Sequence, residues 1–457
     1  MQKKILGSML VLTFLGAITA SASVNLVDKG DWKFDVYGFA QTDMTQDSTR
    51  SFNEVIGNSS VSRPNTLAGD NGRTADSIRN SRLGFIATAP VQNGWKAKGV
   101  LEYDLLGYDP YANVSPPTNS EASFSQNPTM RVRHSYFNAE KDGLRILAGQ
   151  TWSLFGWQPY YFPAVLSVAP EAGELYQRTA QFGAIETCAV GENGQLQTGV
   201  SMERPSQKDS NMPNFNIGVR YSLDSYKTAV ASSYGDYGLQ PLSIGISGTF
   251  RQFETFQTGG SMYSQIKQNA SAIAVDTLIP IHTNSDAKSP GNSLSISAEF
   301  TSGTGIADEL SGWTGGMTGG TAFSTSTPWT NTNLDAGFMY FDAAGNANLI
   351  QLSTFNVALQ YVLPTEMKQN VNVGMAQTSS NLNSFTVTAG GTVAGGNGIG
   401  AVTNVYDKVT NQFVNYWVDC TDQIRLGAEV STQTTHYVSD GMTTTNNRAQ
   451  ITALYRF

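Results

Sequence analysis

Charge is scarce in this sequence. Asp, Glu, Lys and Arg together make up 14% of its 457 residues, where an ordinary soluble chain carries roughly 25%. Two or three soluble domains, the default for the length, are therefore disfavoured. Histidine is rarer still: His134, His282 and His436 are scattered along the chain. No Cys/His cluster has metal-ligand spacing, so neither a metal nor another cofactor is expected, and nothing resembles a catalytic triad. The two cysteines, Cys188 and Cys420, read as isolated thiols near different turns, although an exported chain would permit a disulfide. Beyond position 22 there is no run of 18 apolar residues, which excludes a membrane-spanning helix. Nor does any segment recur at a fixed period, which argues against a solenoid.

What is present points to export and to strands. Lys3 and Lys4 precede an apolar run from Ile5 to Ile18, followed by Ala20-Ser21-Ala22. A short positive start, an apolar core of this length and a small-x-small site describe a cleavable signal peptide over 1–22. Residues 23–457 then form one unit. Losing the two lysines takes the net charge from −8 to −10, which excludes nucleic acid as a partner. Aromatics are 11% and glycines number 45, yet the mean hydropathy is −0.23. An all-β transmembrane barrel accounts for this combination, because alternation dilutes the apolar residues of its lipid-facing side.

The alternation is clearest at the end of the chain. Ile451, Ala453, Tyr455 and Phe457 share one parity, and Gln450, Thr452 and Arg456 the other. Period two with a single apolar face is a half-buried strand. Similar segments occur near 32–42, 77–89, 95–104, 129–139, 144–154, 177–189, 195–204, 213–222, 241–254, 270–281, 293–303, 350–363, 370–380, 405–418, 423–437 and 447–457. That makes about sixteen antiparallel strands, an even number as single-chain bacterial barrels require. Region 223–240 is the least regular, and Lys227–Tyr234 reads as a possible further strand. Short connections such as Pro90–Gly94, Glu140–Gly143 and Gly191–Gly194 carry the Gly, Asn and Asp of tight hairpins. They alternate with long ones, 43–76, 105–128, 155–176, 304–349 and 381–404. The expected topology places short turns and both chain ends on the periplasmic side.

A pore selects by the charges it turns inward. Leu83 and Phe85 share a face, which turns Arg82 inward. Leu101 and Tyr103 face out, so Glu102 and Asp104 face the lumen. Val132 and Tyr136 set the lipid face of the next strand, turning Arg131 and Arg133 inward and leaving His134 outside, where a subunit contact would suit it. Arg178 opens the strand after 155–176, and Arg220, Arg251 and Arg425 are further candidates for the wall. Two readings stand side by side: an anion-attracting constriction of Arg82, Arg131, Arg133 and Arg178, or a brace in which these arginines pair with Glu102 and Asp104. Segment Phe155–Pro163 through Glu174 is aromatic and nearly uncharged. An exposed loop would seldom be so, and it is expected to fold into the barrel as a constriction loop carrying Trp157, Tyr160, Tyr161, Glu171 and Glu174. The alternative is packing against neighbouring loops or subunits.

Several of these pieces also resemble a known family. Arg79-Asn-Ser-Arg-Leu-Gly-Phe85, Met130–Phe137, Gly149-Gln-Thr-Trp-Ser153 and Arg178 resemble the first half of the DcaP-type porins, and Arg425–Glu429, Asn447-Arg448 and Tyr455-Arg-Phe457 resemble their end. The resemblance implies a sixteen-stranded, trimeric outer-membrane channel that favours small anions such as dicarboxylates. It also implies that Arg82, Arg131, Arg133 and Arg178 are constriction residues. The middle of the chain matches only in rhythm, and the N-terminal coiled coil frequent in that family has no room between Ala22 and Trp32. The partners expected are outer-membrane lipid and lipopolysaccharide, the barrel assembly machinery, small anionic solutes and two further copies of the chain. Adhesion or a structural role through the long outer loops is the competing function; an enzyme is not expected.

Overall fold

In the computed structural model the described residues are 23–457 apart from 53–59, 108–127, 157–171, 207–209, 233–236, 260–261, 312–329, 333–337, 342–346, 389–391, 395–404 and the single positions 385 and 439. They form one closed antiparallel barrel of sixteen wall strands. The strands are β1 (Trp32–Asp47), β2 in two pieces (Arg73–Ser77 and Arg82–Thr88), β3 (Lys96–Gly107), β4 (Thr129–Lys141), β5 (Leu144–Trp152), β6 (Arg178–Val190), β7 (Gly194–Glu203) and β8 (Asn214–Ala231). They continue as β9 (Tyr237–Gly259), β10 (Met262–His282), β11 (Leu294–Thr304), β12 (Gln351–Val362), β13 (Gln369–Ser380), β14 (Tyr406–Asp419), β15 (Ile424–Tyr437) and β16 (Thr443–Arg456). Each pairs with its sequence neighbour, and β16 closes the ring on β1, from Phe39↔Arg456 to Asp47↔Arg448. A short strand, Val24–Lys29, pairs with the lower part of β1.

The expected alternation decides which residues meet lipid. Along β16 exposed and buried positions alternate without a break: Ile451 and Tyr455 point out, while Gln450, Thr452 and Arg456 are buried within. The same pattern puts Leu83, Phe85, Phe182, Ile217, Ile246 and Val430 on the outer surface. At one end the connections are tight. Asn93, Gly94, Asp142, Gly143 and Gly191 take positive φ there, as the sequence of those turns predicts.

The structure departs from the sequence reading at three places. His134 is not outside. Glu102 pairs with His134 but Tyr103 with Val132, so Arg133 is an extra residue on β4 and the parity slips there. This bulge turns both Arg133 and His134 inward, each under a tenth exposed, and sends Phe137 rather than Tyr136 to the outer face. Region 223–240 is not an additional strand but the shared end of β8 and β9, which run on as a paired hairpin to Ala231↔Tyr237. The wall strands are also longer than read, β1 reaching Asp47 and β2 starting at Arg73. Cys188 and Cys420 are both free and exposed.

The interior is not an open tube. An apolar cluster fills the side lined by β9–β15, joining wall residues Phe253, Ala274, Leu352 and Val409 to loop residues Phe155, Leu175, Ile306, Leu310 and Phe338. Loops therefore fold inward and bury their own apolar side chains against one half of the wall, which leaves the polar half to line the passage.

Candidate constriction site

The site is built where β1–β6 turn their charges inward. In the β2–β3 ladder Arg82 lies opposite Asp104, and in the β3–β4 ladder Asp104 lies opposite Arg131. Arg131 grips Asp104 with two nitrogens, at 3.0 and 2.6 Å. Arg133, delivered by the bulge, donates to Glu102 at 2.6 Å and to Asp104 at 3.1 Å. Tyr37 donates to the second oxygen of Glu102 at 3.0 Å. His134 lies 3.9 Å from Glu102 and bonds Thr151 at 3.0 Å. Charge-assisted, partly bidentate bonds of this kind fix geometry as well as charge. The bulge depends on Gly149, at φ 121° on the facing strand, where a Cβ would lie 2.3 Å from the Ser135 carbonyl oxygen.

Arg178 is held differently. Its guanidinium lies over the rings of Trp152 (4.5 Å) and Tyr176 (5.3 Å), and Trp152 meets His134 edge-on at 5.8 Å. Among the described residues no carboxylate pairs with Arg178, and its Nη1 is buried without a hydrogen-bond partner. Arg82 sits over Phe39 at 5.3 Å. The potential of this group is visible in Tyr176, which lies in the loop outside the strands. Burial pushes its phenol up, but Arg133, Arg178 and Arg82 outweigh burial and bring it down to about 8.

The chain after β5 turns inward. Leu154 N–H donates to Glu203 at 3.1 Å, Phe155 N–H to Ser153 Oγ at 3.0 Å and Gly156 N–H to Ser247 Oγ at 2.9 Å. On its way back the chain is again inside. Leu175 N–H donates to Glu299 of β11 at 2.9 Å, and Gly173, at φ 90°, lies against Thr354 and Thr378 of β12 and β13. The segment thus touches the wall far from its own strands, as a constriction loop must. Glu174 is buried there, its carbonyl accepting from Ser311 N–H at 2.8 Å. Trp157, Tyr160, Tyr161 and Glu171 lie outside the described residues.

A second loop, which the sequence does not announce, completes this crossbeam. Gly173 N–H donates to the Ser311 carbonyl at 2.7 Å and Tyr176 N–H to that of Glu309 at 2.8 Å. Arg251 of β9 clamps the second loop from behind, with two 2.6 Å bonds to Asp308 and one of 2.8 Å to the Gly305 carbonyl. In the sequence Arg251 stands only as one more candidate for the wall, with no mark of the loop it holds.

Comparison with known proteins agrees with this architecture. A family model described as Gram-negative porin matches residues 9–305, more than half of the chain. Among solved structures, the outer membrane channel DcaP of Acinetobacter baumannii aligns with a TM-score of 0.61 and 16% identity, covering 95% of this chain and 100% of that one. OprB of Pseudomonas putida, in a high-pH structure, aligns with a TM-score of 0.50 and 11% identity over 93% of this chain and 94% of its own. An anion-selective porin from Comamonas acidovorans reaches 0.48 at 8% identity, over 93% of this chain and 100% of that one. At 16% and 11% identity the first two likenesses are of fold alone. A search of curated protein sequences gave no match.

Proposed function

This chain belongs to the Gram-negative porin family, and we propose that it is a passive pore favouring small anions, carboxylates among them, as they pass the arginines of β2–β6. As a porin it resides in the outer membrane and acts as a channel for passive diffusion. The short-turn end is then periplasmic. In this reading Arg82, Arg131, Arg133 and Arg178 form the constriction with Glu102 and Asp104, and the inward loop narrows the passage beside them. The mature unit is 23–457, released from its signal peptide, handed to the barrel assembly machinery and embedded as a homotrimer in lipid and lipopolysaccharide.

The observation that carries the reading is Arg178. Arg131 and Arg133 spend their charge on Asp104 and Glu102, so they brace the wall as much as they attract. Arg178 rests on two aromatic faces instead, which leaves a cation available to a passing carboxylate. Reversal potentials in a salt gradient across a planar bilayer test it. Arg178→Gln is expected to move the potential toward cation preference. An unchanged potential in that variant means that the arginines do not select.

A further inference from the structure

The periplasmic mouth contains an element that the alternation does not require. From Leu223↔Leu242 the β8–β9 ladder jumps to Lys227↔Pro241, so Asp224, Ser225 and Tyr226 are extruded. The break falls at the rim: Leu223 makes the last pair with β7, and Asp224 is pinned to the neighbouring turn through Asn193 O (2.8 Å) and Gln195 (3.1 Å). On the other side β9 stops pairing with β10 at Ser243. Past the rim, Lys227–Ala231 and Tyr237–Pro241 pair with each other and with neither neighbour. Released from the wall, this hairpin end is not splayed into solvent. Thr228, Ala229, Ala231 and Tyr237 are buried.

Thr228 Oγ1 keeps one bond to the adjacent strand, to the His282 carbonyl of β10 at 2.9 Å, but the other partners lie across the mouth. Ala231 N–H donates to Gln360 Oε1 at 2.6 Å, and Gln360 Nε2 returns a 2.9 Å bond to the Ala231 carbonyl. Asn370 donates to Tyr237 Oη at 2.9 Å. Arg425, anchored on Asp419 at 2.6 Å, donates to the Ser232 carbonyl. Gln360, Asn370 and Arg425 belong to β12, β13 and β15, the last nearly half-way round the ring from β8. On its upper side Val230 packs, as Ile185 does, against a small cluster of Leu278 and Leu154, the latter being where the constriction loop leaves the wall.

We propose that this hairpin end is a strap across the periplasmic mouth, a second constriction in series with the arginine-lined one that sieves solutes by size. Its described residues carry one charge, Lys227, and Asp236 lies in the same turn outside the described residues, so what the strap adds is read from the size it admits. Its packing on the small cluster that also holds Leu154 links its position to the root of the upper constriction. The inference rests on the chain being a pore. Its readouts are conductance and size cut-off, whereas the anion preference reads out in reversal potential, so either can fail alone.

The test uses the full mature protein in planar bilayers and liposomes. In a background with Cys188→Ser and Cys420→Ser, Ser232→Cys places one thiol on the strap. Attaching a bulky methanethiosulfonate reagent there should reduce single-channel current by roughly half if the strap lies in the conduction path. The double variant Gln360→Ala, Asn370→Ala removes the docking bonds to β12 and β13 and leaves only the Arg425 bond to the Ser232 carbonyl on the far side. It should raise conductance and admit larger sugars in liposome swelling, with the reversal potential unmoved. Full current after confirmed thiol modification, or an undocked variant with the wild-type conductance and cut-off, overturns the strap.

Discussion

Around Glu102 and Asp104 the wall of the barrel is held by charge; around Asn372 it is held by amides. On the first side Arg131 and Arg133 saturate two carboxylates. On the second, Asn372 accepts from Gln360 (2.8 Å) and donates to Asn370 (2.8 Å) and Asn415 (2.7 Å). Both sides satisfy buried polar groups. A charged network that loses one member leaves an uncompensated ion, while an amide network that loses one member leaves only unmet hydrogen bonds. If the β2–β6 arginines select as proposed, selectivity and stability are coupled on that side and separable on the β12–β14 side.

The largest way to break the comparison is Glu102→Ala, which strips Arg133, 3% exposed, of its better partner. It should lower stability by about 3 kcal/mol, read as an earlier unfolding midpoint in detergent, and shift reversal potential as well. Asn372→Ala should cost less, about 2 kcal/mol, and leave ion preference untouched; a selectivity change there would merge the two sides. A pH series sharpens the charged side. Tyr176 is neutral below about 8 and becomes a phenolate above it. The added negative charge should weaken anion preference as pH rises through that value, and Tyr176→Phe should flatten the profile. The smallest effect belongs to neither side. Arg63 pairs with Asp440 at the outer rim, where Asp440 is half-exposed, and Arg63→Ala should change the unfolding free energy by no more than about 1 kcal/mol.

The wall was legible because lipid enforces period two on every strand, and Leu83, Leu101 and Ile451 therefore reveal their neighbours. The inward side of Arg82, Glu102, Asp104 and Arg131 followed directly. His134 failed because a bulge changes parity without leaving a mark in the hydrophobic pattern; only Gly149 on the next strand hinted that backbones come close there. Region 223–240 stayed open for the opposite reason: once a hairpin leaves lipid, nothing imposes alternation on it. Pro241, inside what is otherwise a strand, marked the departure. An inward path for the segment after Phe155 was recognisable from its many rings, which are unsuited to water: its described flanks, Phe155, Gly156 and Ala172–Leu175, lie inside, while Trp157, Tyr160 and Tyr161 fall outside the described residues. Its docking on Glu309 and Ser311 was not recognisable, since backbone-to-backbone bonds do not depend on side-chain identity.

The junction between Gly38 and Phe457 has a consequence for how the molecule is made. Each donates its N–H to the other's carbonyl at 3.0 Å, and a Cβ on Gly38 would collide with the Phe457 ring at 2.9 Å. Partners this remote in sequence are the slowest to meet. Until they do, the curled sheet exposes two unsatisfied edges, each able to recruit a stranger. Threaded from its amino end, the polypeptide must keep its first edge shielded through nearly all of its own delivery, so the cylinder locks in a single late event.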